Sequence, residues 1–196
     1  MTVDQQPKKK RRLVYEQWID SLGVPIHYGH FISDLRTVEV GEWSERQCKA
    51  AFLQFKGMEG VSEGRITEIP PGGTLPPMQF ALGETVYVLD GQGLTTVSSG
   101  NGPKRTFEWQ THSMFHLPRY SWRQLSNARG NKPARLLHYN YLPMAMTLIP
   151  DPAFFFKNQY EDPSLLYGRE GDTYAQAKAV LGAGAHDPEA EKSGAV

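Results

Sequence analysis

The residues best suited to chemistry are Glu84, Arg123 and three histidines in the second half of the chain, His112, His116 and His138. A carboxylate can act as a base or accept hydrogen bonds, and a guanidinium, which stays protonated, can bind an anion. An imidazole can bind a metal or transfer a proton, although a single histidine more often has a structural role. A metal site built from these histidines nevertheless stays open as an alternative.

Short apolar runs separated by turn residues must position these side chains. They are GRITEI, TVYVL, LTTV, RTFEWQ, SMFHLP, WRQLSN and ARLLHYNYL. Strands of about four to eight residues with frequent Gly and Pro turns are typical of a sandwich or small barrel. We therefore predict an all-β fold with an interior pocket. Because neighbours on a strand face opposite sides, only one of His138 and Tyr139 can line that pocket.

Two segments have the spacing of a paired motif. In the first, Gly72 is followed by Met78, Phe80, Glu84 and Gly91. This resembles the first motif of the cupin superfamily, G-x5-H-x-H-x3-E-x6-G, with both glycines and the glutamate retained. Met78 and Phe80 stand where that family has two metal-binding histidines.

The second segment resembles the second cupin motif, P-x-G-x2-H-x3-N. Pro118 leads at matching intervals to Tyr120, Arg123 and Asn127. The proline and the asparagine are retained, whereas Arg123 replaces the ligand histidine and Tyr120 replaces the glycine.

The same stretch is similar to gentisate dioxygenase-like proteins with two cupin domains, which carry the pattern W..GD.F..P.W.WH. Trp109, Phe115, Pro118 and Trp122 fit it, whereas the pair at residues 112–113 replaces Gly-Asp. The resemblance covers about residues 45–145. It implies an RmlC-like jelly-roll β-barrel, with short helical extensions at both ends, that corresponds to one half of such a two-cupin protein.

The replaced residues predict a site without a metal or other cofactor. Such a site needs imidazole or carboxylate donors that converge on one point. Met78 offers a thioether, Phe80 has no lone pair, and Arg123 is always protonated. Phe80 also favours a filled or narrowed barrel. The ligand-binding candidates are Met78, Phe80, Glu84, Tyr120, Arg123 and His138.

Arg123 and Glu84 are predicted to form a bidentate ion pair inside the barrel. One interpretation is an inert salt bridge that remains where a metal site decayed, since buried ion pairs are weak evidence of function. The other is a working pocket in which Arg123 binds the carboxylate of a small organic acid. Glu84 would then be a base or an acceptor, and both residues would be catalytic candidates.

Two functions stay open. The first is a degenerate, metal-free cupin with a small-molecule-binding or structural role, with a partner cupin domain as one possibility that the resemblance implies. The second is an enzyme of aromatic or small organic acid catabolism, either gentisate dioxygenase-like or a metal-independent isomerase or lyase that uses Glu84 and Arg123. Family analogy implies a homodimer, formed through the N-terminal arm and the strand at residues 49–56.

Composition excludes several classes. Acidic and basic residues balance at 21 each, so the protein has no net charge that would attract nucleic acid. The basic run at residues 8–12 is interpreted as a solvated tail. Cys48 is the only cysteine, which excludes an intrachain disulfide and suggests a cytoplasmic protein. We also find neither a signal peptide nor a segment long enough to span a membrane.

The chain is divided by composition into five parts. They are a disordered basic tail at 1–12, a helix and arm at 13–48, the barrel at 49–150, an extension at 151–182 and a disordered tail at 183–196. The helix is predicted over residues 13–22. The extension is predicted to hold an extended aromatic segment at 153–160 and a helix at 173–181.

Overall fold

A computed structural model describes residues 12–100 and 102–157. The predictions for residues 1–11, 173–181 and 183–196 lie outside the described residues. The strands, numbered in chain order, are β1 Ile26–Gly29, β2 Gly41–Trp43, β3 Cys48–Phe55, β4 Glu63–Ile69, β5 Met78–Gln79, β6 Glu84–Asp90, β7 Gln92–Ser98, β8 Arg105–Gln110, β9 Met114–Leu117, β10 Trp122–Asn127 and β11 Ala134–Asn140. The helices are α1 Val14–Ser21, α2 Leu142–Leu148 and α3 Pro152–Phe156, with a 3-10 turn at Ser44–Arg46.

Strands β4 to β11 form a jelly roll. The first pairs with the last, β4 with β11, and the same nesting continues with β5 on β10, β6 on β9 and β7 on β8. The eight strands are therefore one long antiparallel hairpin that is rolled up. Rolling separates them into two sheets, ordered β4-β11-β6-β9 and β5-β10-β7-β8. This topology confirms the predicted jelly-roll fold.

The N-terminal segments extend the larger sheet. β3 pairs with β4 on one side, and β1 and β2 pair with β3 on the other. Both edges of β3 are occupied within the chain, so that strand has no free edge for pairing with a second copy. β1 and β2 lie at this outer edge of the sheet. Self-association through the N-terminal arm and β3 stays a prediction.

Apolar side chains fill the space between the two sheets and also cover the outside of the larger one. The main core includes Phe52, Val86 and Leu136, each fully buried. A second cluster, with Val38 and Ile66, lies on the outer face beneath the arm that precedes β2. β4 is consequently buried on both faces.

Two short helices close the described part of the chain, and here the sequence prediction is partly wrong. The predicted strand ARLLHYNYL ends at Asn140, and α2 begins at Leu142. The segment predicted as extended from residue 153 begins as α3, because Asp151 caps it by accepting from the Ala153 N–H and Pro152 suits the first turn. Its packing through phenylalanines is confirmed by buried Phe155. The predicted N-terminal helix is confirmed as α1.

Candidate functional site

Glu84 lies at the centre of the barrel and receives four hydrogen bonds from buried side chains. Its Oε1 accepts from Arg65 Nη2 at 2.8 Å and from Asn140 Nδ2 at 3.2 Å. Its Oε2 accepts from His138 Nδ1 at 3.1 Å and from Arg123 Nη1 at 3.3 Å. Glu84 and Arg123 are each 1% exposed. Each carboxylate oxygen therefore has two donors.

A second buried carboxylate, Glu63, extends this cluster. Arg65 bridges the two acids, since its Nη1 donates to Glu63 Oε1 at 2.8 Å. Asn140 bridges them as well, at 3.1 Å to Glu63 Oε1, and the Tyr15 hydroxyl donates to Glu63 Oε2 at 3.1 Å. With Arg123, the buried ion-pair network contains two acidic and two basic side chains.

The pairing of β4 with β11 places these groups together. His138 stands opposite Arg65 in the register, and Asn140 stands opposite Glu63. Alternate residues on a strand face the same side, so all four point into the barrel. Tyr139, between the two β11 residues, is 53% exposed, which confirms that His138 and not its neighbour faces inward.

Burial and charge together set the protonation of the network. Burial by itself would raise the pKa of Glu84, but His138, Arg65 and Arg123 hold that pKa well below its usual value. Burial lowers the pKa of His138, and the nearby Glu84 carboxylate opposes this only in part. Burial raises the pKa of Glu63, against the effect of Arg65. We therefore describe His138 as neutral at pH 7, with its Nδ1–H donating to ionised Glu84.

The Arg123–Glu84 contact predicted from the sequence is present, but its geometry differs. Arg123 Nη2 donates to the carbonyl oxygens of Leu82 at 3.2 Å and Phe80 at 3.4 Å instead of completing a bidentate pair. Its guanidinium carbon lies 5.1 Å from the Phe80 ring centroid. The shorter ion pair to Glu84 is made by Arg65.

A small cavity lies inside the barrel. The cavity beside the network has a volume of about 20 Å³, which is room for little more than one water molecule. Met78, Glu84, Arg123 and His138 line it. The narrowing expected from Phe80 agrees with this volume, because Phe80 is 1% exposed and packed in the core.

A larger groove of about 440 Å³ lies at the mouth of the barrel, and it shares Trp43, Arg46 and Met78 with the inner cavity. We call it the mouth groove. Its lining residues are Trp18, Leu22, Trp43, Glu45, Arg46, Pro77, Met78, Gln79, Trp122, Pro152, Ala153, Phe156 and Lys157.

Arg46 is half-buried where the mouth groove meets the inner cavity. Within residues 12–100 and 102–157 its guanidinium has neither a hydrogen-bond acceptor nor an ion-pair partner. Burial, and next the positive charge of Arg65, lowers the pKa of Arg46. Arg46 therefore presents a cation without a direct ion-pair partner to the mouth groove, whose lining also includes Glu45 and Lys157.

The structure brings some of the predicted site residues together and leaves others apart. Met78, Glu84, Arg123 and His138 converge on the inner cavity, whereas Tyr120 lies in the turn before β10, outside that lining.

His112 and His116 do not join them. His112 is exposed in the turn before β9, where its Nδ1 is 2.8 Å from the Tyr87 hydroxyl. His116 is exposed on β9. No group of three or more His, Cys, Asp or Glu side chains suited to a metal occurs in the described parts of the chain.

Arg65 and Glu63 were missed because the pattern of β4 is ambiguous. Ile66 and Ile69 lie on opposite faces of that strand, and both are fully buried. Alternation therefore could not show which polar residues face inward. Arg46 was missed because its role depends on the 3-10 turn that brings it to the barrel mouth, and no spacing signals that turn.

The motif residues that are retained have structural roles. Gly72 and Gly91 have φ angles of 63° and 118°, and a Cβ on Gly91 would lie 2.7 Å from that of Ala134. Asn127 donates to the carbonyl oxygens of Pro70 and Lys132 at 3.0 and 2.8 Å, which fixes the turn before β5.

Two positions that are glycine in the resembled motifs keep a left-handed backbone with larger side chains. His112 has φ 73° and Tyr120 has φ 59°, a region that side chains with a Cβ adopt at a cost. The backbone thus follows the motif where the side chain has departed from it.

The fold and the site together define a jelly-roll protein with an ion-paired interior and an open groove at one end. No helix among the described residues is long and apolar enough to cross a membrane. The sequence matches no protein-family model and no curated protein.

Similar solved structures include oxalate decarboxylases and a cupin domain. Oxalate decarboxylase from Bacillus subtilis at pH 4.6 is 22% identical over 55% of this chain and 28% of that chain, with a TM-score of 0.47. The Cnp3 cupin domain of Schizosaccharomyces pombe is 18% identical, with coverages of 60% and 78% and a TM-score of 0.45. The formate complex of Lactobacillus farciminis oxalate decarboxylase is 18% identical, with coverages of 62% and 39% and a TM-score of 0.46.

The chain spans well under half the length of these decarboxylase chains. All of these proteins are less than 25% identical to it. We therefore infer the chemistry of the site only from the residues of this chain.

Proposed function

We propose that this chain is a metal-independent cupin-type protein that binds a small organic acid at the mouth of its barrel. The ion-pair network occupies the position of the metal, and recognition takes place in the mouth groove. The observation that carries the proposal is Arg46, a half-buried guanidinium that faces the groove without an anionic partner in the described chain.

Donor chemistry supports metal independence. Three of the four positions that hold the ion in the resembled motifs carry Met78, Phe80 and Arg123, and the fourth, Glu84, already accepts four hydrogen bonds. A metal at Glu84 would have to displace a guanidinium and would lie beside its positive charge. The guanidinium charges compensate the carboxylate that an ion would otherwise balance.

The mouth groove has the size and lining of a small-molecule site. Its volume of about 440 Å³ falls within the range of about 300–1,000 Å³ typical of ligand pockets. Trp18, Trp122 and Phe156 supply apolar walls, and Arg46 supplies the fixed charge. A guanidinium presents a planar pair of donors that matches a carboxylate. A small organic acid fits this combination better than a neutral or cationic ligand.

An NMR titration of the whole chain with acetate, benzoate and succinate tests the binding. We expect saturable shifts at groove residues and binding about ten- to a hundredfold weaker in Arg46→Met, as for the loss of a hydrogen bond to a charged group. Arg129→Met is the matched control, because Arg129 follows the opposite end of β10 and pairs with Asp90. Equal affinity in wild type and Arg46→Met would overturn the proposal.

Elemental analysis of protein purified from metal-replete medium tests the other half of the proposal. We expect iron, manganese and zinc each well below one per chain. Stoichiometric metal that is lost in Glu84→Gln would contradict metal independence.

The enzyme alternative has less support. An isomerase or lyase that uses Glu84 as its base would need a free lone pair, whereas both carboxylate oxygens are occupied by two donors each. The low pKa of Glu84 also makes it a weak base. A homodimer or a partner cupin domain stays part of the proposal, to be tested by light scattering.

A further inference from the structure

Phe156 lines the mouth groove, and its ring is stacked against two other aromatic rings. Its ring is stacked on Trp18, with centroids 5.0 Å apart and an interplanar angle of 25°. It is also stacked on Phe80, at 5.2 Å and 24°. Most aromatic contacts elsewhere in the core are tilted or edge-on, as for Trp18 with Phe52 at 74°. Phe156 is thus the half-buried middle ring of a three-ring stack.

This stack leads from the groove toward the ion-pair network. Beneath Phe156 lies Phe80, whose ring carries the Arg123 guanidinium 5.1 Å from its centroid. Arg123 in turn contacts Glu84. Trp18 belongs to α1, and Phe80 belongs to the loop after β5. Because Phe156 is stacked on both rings, we call the space that its ring fills between them a slot for one flat ring.

The element that carries Phe156 is short. α3 spans five residues, and its clearest anchor is Phe155, which is 1% exposed and whose carbonyl oxygen accepts from the Ala81 N–H at 2.9 Å. Phe156 itself is half-buried at the next position. A side-chain rotation at Phe156 can open the slot while the Phe155 anchor stays in place.

We infer that Phe156 is a built-in occupant of the mouth groove, filling a slot for a planar aromatic ring that a ligand must displace. The inference rests on the proposed function, because it assumes that the groove is the ligand site. The ligand would then be a planar aromatic acid, with its ring between Trp18 and Phe80 and its carboxylate on Arg46. The phenyl ring of Phe156 competes with it and lowers its affinity.

The first test compares ligands of equal charge in wild type and Phe156→Ala. Removal of the competing ring should tighten benzoate binding about tenfold, since apparent affinity scales with the fraction of open slots. Acetate should bind equally to both proteins, and cyclohexanecarboxylate, which is not planar, should gain less than benzoate. Phe154→Ala is the control, because Phe154 lies on the same helix but contacts Phe155 edge-on at 79°. Benzoate binding that is no tighter in Phe156→Ala would overturn the inference.

The second test follows Phe156 directly in otherwise wild-type protein. With 4-fluorophenylalanine at position 156, benzoate should move the fluorine resonance toward its solvent-exposed value, and acetate should not. A resonance that benzoate leaves unchanged at saturation would contradict displacement.

A third measurement separates the inference from the proposed function. Toluene has no carboxylate, so it should bind Phe156→Ala even when Arg46→Met is also present. If no acid binds either protein but toluene binds the double variant, the slot exists and the proposed acid-binding function is wrong. If acids bind through Arg46 but toluene never binds, the function stands and the slot does not.

Discussion

The interior of the barrel and its mouth are built from the same residue types, arginines and aromatic rings, but they are used in opposite ways. Inside, each guanidinium faces carboxylate or carbonyl oxygens, and about 20 Å³ of space remains. At the mouth, Arg46 has no such partner in the described chain, and the groove measures about 440 Å³. A charged group that is already satisfied stabilises or orients its neighbours, whereas an unsatisfied one is available to a ligand. This difference is the basis on which we propose binding in the mouth groove and a scaffolding role for the network.

The largest effect should come from breaking the interior. Glu84→Gln removes the carboxylate shared by two buried arginines, which leaves Arg65 with Glu63 as its remaining carboxylate and takes away the carboxylate that Arg123 contacts. We expect a loss of about 3–5 kcal/mol in the free energy of unfolding, as for a broken buried ion pair. Urea denaturation measures it. Glu45→Gln, on the groove lining, is the control and should stay within about 0.5 kcal/mol; similar losses in both variants would contradict the contrast between the two regions.

A smaller effect should appear as a dependence of stability on pH that arises mainly in the interior. The pKa of His138 is lowered by burial, so below the unfolded value of about 6.5 the unfolded state takes up the proton first. Stability that is fully present above pH 6.5 should therefore fall as pH drops through the window below it. Glu84, whose pKa is lowered, should lose its own contribution only at more acidic pH.

Chemical denaturation between pH 5 and 8 in wild type and His138→Gln measures this window. The decline just below pH 6.5 should be smaller in the variant, where His116, whose pKa burial also lowers, still contributes. An equal decline in both proteins would show that another group titrates there.

The smallest effect concerns the scaffold that both regions share. At His112, whose φ is 73°, the Gly and Ala variants both lose the imidazole contact with Tyr87 and differ only in backbone freedom. His112→Gly should be more stable than His112→Ala by about 1 kcal/mol, because a Cβ is disfavoured in the left-handed region. Thermal unfolding compares the two directly. Equal stability would mean that the backbone relaxes and that the glycine-like conformation is not imposed by the fold.

Prediction from sequence succeeded where the signal is local. The strand runs, the helix over residues 13–22 and the turn glycines depend on near neighbours in the chain, and the structure contains all of them. α3 was predicted wrongly as extended, because three consecutive phenylalanines resemble a strand and the capping role of Asp151 was overlooked. The motif spacing also predicted the contact between Glu84 and Arg123. The alternation of side chains along each strand and the lengths of the hairpins determine where those two positions meet.

The sequence by itself determined seven of the eight jelly-roll strands, all but the two-residue β5, together with the position of Glu84 and the side chains at Met78, Phe80 and Arg123. Only the tertiary structure decided which cation balances Glu84 and which remains unbalanced. Arg65 reaches Glu84 because the β4–β11 register places it beside His138, and Arg46 reaches the groove through a turn outside the jelly roll. Charge compensation depends on distances of a few ångströms between strands far apart in the chain, and periodicity along one strand contains no such information.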